Sequence, residues 1–186
     1  MTSAIAQSHK RRTRRDIRTM KHRIFLRTPT KADEAEFVAA AKASRTLHGV
    51  WTDAPDTTQK FRAYLERMHT GNTFPLLVCH HASGKIIGVI NISNVIMGSF
   101  RSAYLGYYAF TGFQRQGLMR EGLCAVVKYA FGQLKLHRLE ANIQPANIAS
   151  IALVRSVGFK LEGYSPRYLK IFGRWRDHER WAIVAD

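Results

Sequence analysis

Gln114-Arg115-Gln116-Gly117-Leu118-Met119-Arg120 joins a tyrosine-rich apolar run, Ala103 to Phe110, to an amphipathic run from Leu118 to about Leu134. The first run reads as a strand, ended by Thr111-Gly112. The second places Leu123, Val127, Ala130 or Phe131, and Leu134 on one helical face. A helix that opens on a glycine loop directly after a strand presents unpaired backbone N–H groups and the positive end of its dipole. Gly117 lets the backbone approach an anion closely, and Arg115 and Arg120 add cationic charge, so this junction can cradle a diphosphate. One glycine in seven residues is a weak signal alone. The stretch is neither GxxxxGKS/T nor GxGxxG, and an ordinary strand-to-helix turn is the plain alternative.

The flanking sequence supplies the rest of the fold. Ile24-Phe25-Leu26 is a short strand before Thr28-Pro29. Thr30 can cap a helix through about Ser44, and a loop carrying Trp51 runs from Leu47 to Pro55. A second helix starts at Thr57 or Thr58 with Phe61, Tyr64, Leu65 and Met68 on one stripe, and stops at Gly71-Asn72. Phe74 to Cys79 and Ile86 to Ile96 form a hairpin around Ser83-Gly84. After the Leu118 helix come a strand from Arg138 to Ile143 and a helix from Asn147 to Val157 with Gly158 as its terminator. A final strand pair, Phe159 to about Tyr168 and about Asp177 to Val184, turns near Gly173. The order β-α-α-β-β-β-α-β-α-β-β is mixed α/β.

Composition bounds the class. The 186 residues carry 29 Lys+Arg against 13 Asp+Glu, a net charge of +16. With 46% hydrophobic residues the chain is no disordered polyelectrolyte, and its length suits one core. No apolar run is long enough to span a membrane, and the N-terminus has no signal-peptide core. Cys79 and Cys124 are too far apart and too few for a disulfide framework or a cysteine zinc site; they read as inert core thiols in a reducing, cytoplasmic compartment. His80-His81 and His137 have no metal-ligand spacing. The charge is uneven: residues 1–23 hold eight Lys/Arg and one acid. Residues 1–22 therefore read as a flexible basic arm before one domain over 23–186. The arm suits contact with RNA, DNA or an anionic ribosome surface, or is a solubilising tail, or is an Arg-rich transit peptide.

The junction also resembles the signature of the GNAT acetyltransferase superfamily, Q/R-x-x-G-x-G/A, with Met119 departing from its last position. Leu139-Glu140-Ala141, Asn147-Ile148-Ala149-Ser150, Gly158-Phe159 and the stretch Gly173 to His178 resemble the RimJ/RimL-type ribosomal-protein alanine N-acetyltransferase branch, in the same order. The resemblance covers about Arg23 to Asp186. It implies a central, mostly antiparallel sheet splayed at the cofactor site and flanked by about four helices. It also implies an acetyl-CoA co-substrate and no metal. The backbone of Tyr108, Ala109 and Phe110 would pair with the pantetheine arm. N–H groups across Arg115, Gln116, Gly117, Leu118, Met119 and Arg120 would hold the diphosphate, and Asn147 would bind the pantetheine or thioester end. Ser150 would be the general acid, because Val154 stands where many relatives have a tyrosine. Glu140 matches the position of a catalytic carboxylate.

Each assignment has a plainer alternative. Glu140 can be a strand carboxylate paired with Arg138 or a neighbouring cation. Asn147 and Ser150 can be an N-cap and a first-turn polar residue. His178 beside Asp177 reads as a structural His–Asp contact or an acid/base pair, and Trp51 as an acceptor-groove wall or a packed side chain. The implied reaction is acetyl transfer from acetyl-CoA to a protein N-terminal α-amine, by direct attack in a ternary complex. An α-amine titrates near ~8 and a lysine near ~10.4, so one carboxylate is a sufficient base. The alternatives are acetylation of a small-molecule amine, or a non-catalytic ribosome- or RNA-binding module on the same fold.

Overall fold

The computed structural model describes residues 22–68 and 71–186. The basic arm expected over residues 1–22 lies outside the described residues, apart from His22. Seven strands form one sheet in the order β1-β2-β3-β4-β5-β7-β6. They are β1 (Ile24–Arg27), β2 (Phe74–His80), β3 (Ile86–Ile96), β4 (Ser102–Ala109), β5 (Arg138–Ile143), β6 (Lys160–Ile171) and β7 (Arg174–Val184). Among the described residues five α-helices flank it: α1 (Glu34–Ala43), α2 (Arg45–His48), α3 (Thr58–Met68), α4 (Leu118–Gly132) and α5 (Ile148–Val157). Four of them are long, as expected, and α2 is a single turn.

Every strand pair is antiparallel except β4–β5. That exception follows from the chain path, because α4 carries the chain from the end of β4 back to the start of β5. The parallel joint is short. Only Ser102, Ala103 and Tyr104 register with Arg138, Leu139 and Glu140, and beyond them the two strands diverge. The splayed sheet implied by the resemblance is present.

Packing follows the period of two along the strands. Leu76 and Val78 of β2 join Leu139, Ala141 and Ile143 of β5 against α4 and α5. Leu77 and Cys79 face the other way, against Phe37 of α1 and Phe61, Tyr64 and Leu65 of α3. β2 and β3 are covered on both faces, which is why their sequence reads as nearly continuous apolar runs. On the α1–α3 side the cover ends at β4, so the same face of β5, β7 and β6 lies outside that core.

Local chemistry explains where boundaries moved. The single helix expected from Thr30 to Ser44 is instead a 3-10 turn, Lys31–Asp33, followed by α1 and α2. Ser44 marks the break: its hydroxyl donates to Ala40 O at 2.6 Å and accepts the Thr111 N–H at 2.9 Å. Asp33 closes the other end by accepting from Thr30 N–H at 2.7 Å and from Arg27 at 2.6 and 2.8 Å. The last strand starts at Arg174, three residues before the expected Asp177. Two residues, Phe172 and Gly173, close the hairpin, so β6 and β7 pair to the tip.

Candidate active site

The loop before α4 behaves as its sequence suggested. Gly117 is the N-cap with φ +75°, and no side chain caps the helix. The N–H groups of the first turn therefore point out of the helix end unclaimed by a cap. Arg115 also adopts a left-handed φ, +59°. Gln114 and Gln116 brace the loop rather than project from it: Gln114 Oε1 accepts from Gly112 N–H at 2.7 Å, and Gln116 Nε2 donates to Gly112 O at 3.3 Å. Arg120 leans away, its Nε donating to Ser156 O of α5 at 3.2 Å. Arg23, whose guanidinium pairs with Glu121, lies nearer: its Nη2 is 3.5 Å from where a Gly117 Cβ would stand. No local sequence pattern places Arg23 at this loop, because the contact crosses from before β1 to α4.

Met119, the departure from the signature, is explained by its neighbour. A Cβ at Gly88 would lie 2.7 Å from Met119 Sδ and 2.5 Å from Tyr108 O. The missing side chain of Gly88 leaves room for the thioether and for β4 at once.

The splay opens beside this loop. Phe110 N–H donates to Ile87 O at 2.7 Å, and antiparallel alternation gives Tyr108 the same orientation towards β3. That leaves Tyr107 and Ala109 with backbone groups turned towards the gap. Ala109 O already accepts from His48 Nε2 at 2.9 Å, which assigns the proton to that nitrogen. The expected pairing of Tyr108, Ala109 and Phe110 with a ligand is thus narrowed: the Phe110 N–H is taken within the sheet, and the Ala109 carbonyl by α2.

Side chains alternate across the gap. Tyr107 turns towards α5, and its hydroxyl donates to Ser150 O at 3.2 Å; burial raises its phenol pKa above the usual range. Tyr108 turns towards α2 and α3, packing edge-on against His48. Among the described residues, the two buried side-chain polar atoms without a hydrogen-bond partner are Tyr108 Oη and Asn142 Oδ1. They lie on the two strands that part. Buried polar groups are nearly always satisfied, so orphans on both walls of a cleft fit a polar ligand there. Acetyl-CoA, with an amide-bearing arm and a diphosphate, suits both the walls and the Gly117 loop.

Asn147 caps α5, its Oδ1 accepting from Ser150 N–H at 3.2 Å. This is the plainer of its two readings, and it leaves Nδ2 to donate to a ligand. The Ser150 hydroxyl lies within hydrogen-bonding reach of the Tyr107 hydroxyl, and its backbone is held at both N–H and C=O. Glu140 stands at the closed end of the splay, on the face away from α4 and α5. Arg138 Nε donates to its Oε1 at 2.7 Å, and Arg138 also binds Glu162. Glu140 Oε2 accepts no hydrogen bond among the described residues, so the ion pair orients the carboxylate and spares one oxygen. Tyr104, its register partner, is held above the usual phenol range by hydrogen bonding with Tyr168, by burial and by the nearby Glu140 charge. Tyr168 in turn meets buried His178 edge-on.

His178 and Asp177 do not form the expected contact. Adjacent strand residues point to opposite faces. His178 Nδ1 lies 2.9 Å from Arg176 O, whereas Asp177 accepts from the Tyr164 hydroxyl and the Arg167 N–H. Tyr164 and Arg167 hold the Asp177 carboxyl below the usual carboxylate range. Cys124 is exposed on α4, so only Cys79 is a core thiol. Beyond the end of β5, Trp51, Gln144, Pro145, Tyr164, Trp175 and Arg176 line an open cavity of about 430 Å³. Trp51 is half-buried and lines this cavity. Among the described residues, no group of three or more His, Cys, Asp or Glu gathers to hold a metal, and no helix is long and apolar enough to cross a membrane.

Residues 23–160 match the acetyltransferase (GNAT) domain family. The chain is 32% identical over 126 residues to "Probable N-acetyltransferase YjcK" of Bacillus subtilis, covering 68% of this chain and 70% of that one. It is 47% identical over 100 residues to the "[Ribosomal protein uS5]-alanine N-acetyltransferase" of Escherichia coli. That match spans 54% of this chain and about half, 52%, of the relative. Among solved structures it superposes on "Mycobacterium smegmatis RimJ in complex with CoA-disulfide" with a TM-score of 0.81 and 27% identity. That superposition covers 87% of this chain and 82% of the other.

Proposed function

The chain belongs to the GNAT acetyltransferase family, acetyl-CoA-dependent N-acetyltransferases, and on that premise we propose that its acceptor is the N-terminal α-amine of a ribosomal or other protein. The observation that carries this reading is the single free oxygen of Glu140, oriented by Arg138 at the closed end of the β4–β5 splay. Nearly half of an α-amine population is already neutral at pH 7.5–8, so one oriented carboxylate suffices to take its remaining proton. The neutral amine attacks the thioester carbonyl, the C–N bond forms and the C–S bond breaks. Glu140 Oε2, directly or through a water, receives the amine proton. The Ser150 hydroxyl donates a proton to the departing thiolate and recovers one from solvent. Backbone N–H groups of β4 facing the gap stabilise the tetrahedral oxyanion, a contribution of about 2.7–4 kcal/mol per donor in comparable sites. Gly117 and the first turn of α4 hold the diphosphate, and the Asn147 amide steadies the pantetheine end.

The cavity lined by Trp51, Tyr164 and Trp175 receives the acceptor chain. Its one carboxylate, Asp177, is already engaged by Tyr164 and Arg167, which counts against polyamines and aminoglycosides. A cytoplasmic site of action and contact between the basic arm and a ribosome or RNA complete the reading. Free-thiol release from acetyl-CoA tests it, with Ala-initiated peptides compared against spermidine and free amino acids. Peptides are expected to be preferred, and Glu140→Gln is expected to lower kcat by about 10²–10⁴-fold with acetyl-CoA affinity retained. Preference for small amines would overturn the acceptor, and unchanged kcat would return Glu140 to a purely structural ion pair.

A further inference from the structure

The tip of the β6–β7 hairpin carries an exposed phenylalanine, Phe172, and cations, Arg167, Lys170 and Arg174, that neither folding nor acetyl transfer explains. Residues 167–176 carry Arg167, Lys170, Arg174 and Arg176 and no acid. None of the four makes an ion pair among the described residues, although most acids elsewhere in the domain are paired. Between them Phe172 is 56% exposed and Trp175 60% exposed. Phe172 is anomalous twice over. It occupies the first centre position of a two-residue turn with φ +47°, followed by Gly173 at +77°. Asn, Asp or Gly suits that left-handed position, and a bulky aromatic side chain is strained there. Neither backbone geometry nor burial rewards a phenylalanine at this position.

We propose that the hairpin tip is a docking site for single-stranded nucleic acid, with Phe172 stacking on an unpaired base and Lys170, Arg174 and Arg167 neutralising flanking phosphates. Flat exposed rings set among unpaired guanidinium groups match bases and phosphates together. An acidic peptide offers carboxylates but no planar faces for Phe172. A duplex hides its base faces, so the partner is unpaired. The register adds a consequence. Lys170 sits opposite Trp175, and Trp175 with Arg176 lines the acceptor cavity, so a strand held at the tip lies beside the acceptor entrance. An acceptor polypeptide presented on nucleic acid would therefore be held near that entrance.

Fluorescence anisotropy with the full chain and short labelled oligonucleotides tests this independently of acetyl transfer. The arms are one single-stranded RNA, the DNA of the same sequence, and the RNA duplex. Phe172→Asn relieves the turn, so its Tm should hold or rise. Affinity for the single strand should nevertheless fall about 5- to 150-fold, the loss expected for one stacked base, with the salt dependence unchanged. Lys170→Ala with Arg174→Ala should lower the slope of log affinity against log salt by about 1.4, from about 0.7 per phosphate contact. All of these variants should retain wild-type acetyl transfer to a free peptide. A stronger single-stranded RNA or DNA arm identifies which nucleic acid is held. Unchanged binding by Phe172→Asn, equal binding to the duplex, or an unchanged salt slope would overturn the proposal.

Discussion

The β2–β3 half of the sheet and the β5–β7–β6 half solve opposite problems. β2 and β3 are buried on both faces, with α1 and α3 on one side and α4 on the other. Most of their side chains are aliphatic and enclosed, and α4 packs on them closely. In the other half β5 and β7 are covered on one face by α4 and α5 and β6 is largely exposed, while the second face of β5 and β7 carries Arg138, Glu140, Asn142 and Arg180. A short parallel joint of three registered pairs connects the two halves. The closed half sets geometry, and the open half exposes chemistry at the line where they part.

Mutations can break or sharpen that contrast. Phe37→Ala in α1 should destabilise by about 3–5 kcal/mol in denaturant unfolding, because Phe37 is fully buried against Phe61, Tyr64 and Phe110. Asp33→Asn should cost about 1.5–3 kcal/mol, the scale of hydrogen bonds to a charged group. Desolvation alone would raise the Asp33 carboxyl, but the hydrogen bonds from Arg27 and Thr30 outweigh it and hold the pKa below the ordinary value. This contribution is therefore complete above about pH 4 and is lost as pH falls through the depressed folded-state value. A pH series of unfolding should show a shallower acid limb in Asp33→Asn than in wild type.

Gly88→Ala should cost about 1–3 kcal/mol by overpacking, measured by thermal unfolding. Adding Met119→Ala should recover only part of the loss, since the 2.5 Å approach to Tyr108 O is to backbone. Tyr108→Phe is the small and informative case. Its hydroxyl is buried without a partner, so stability should hold or rise by up to about 1 kcal/mol, while KM for acetyl-CoA rises. A clear Tm loss in Tyr108→Phe would assign that hydroxyl to the closed half and blur the contrast.

Legibility followed the same division. The strands with covered faces, the α3 stripe and the Gly117 junction announced themselves by periodicity and turn chemistry. The α1 region did not, because the break at Ser44 depends on a hydrogen bond with Thr111, far along the chain. Glu140 lies on β5, and Asn147 and Ser150 open α5, the elements that their sequence predicted. Tyr104, Tyr107, Asn142, His48 and Arg23 were unreadable as site residues, since only the sheet order brings their strands and helices together. The tyrosine richness of Ala103 to Phe110 was the one visible signal, and alternation then sent Tyr107 and Tyr108 to opposite faces.

By itself the sequence determined the order of elements, the glycine loop at a helix start and the family's motif spacing. These depend on local backbone preference and on apolar period, which a linear chain carries in full. Only the tertiary structure decided which oxygen of Glu140 is free, which β4 backbone groups face the gap, and that Met119 fits because Gly88 lacks a side chain. Those facts depend on distances between residues far apart in the chain, and packing and strand pairing set them.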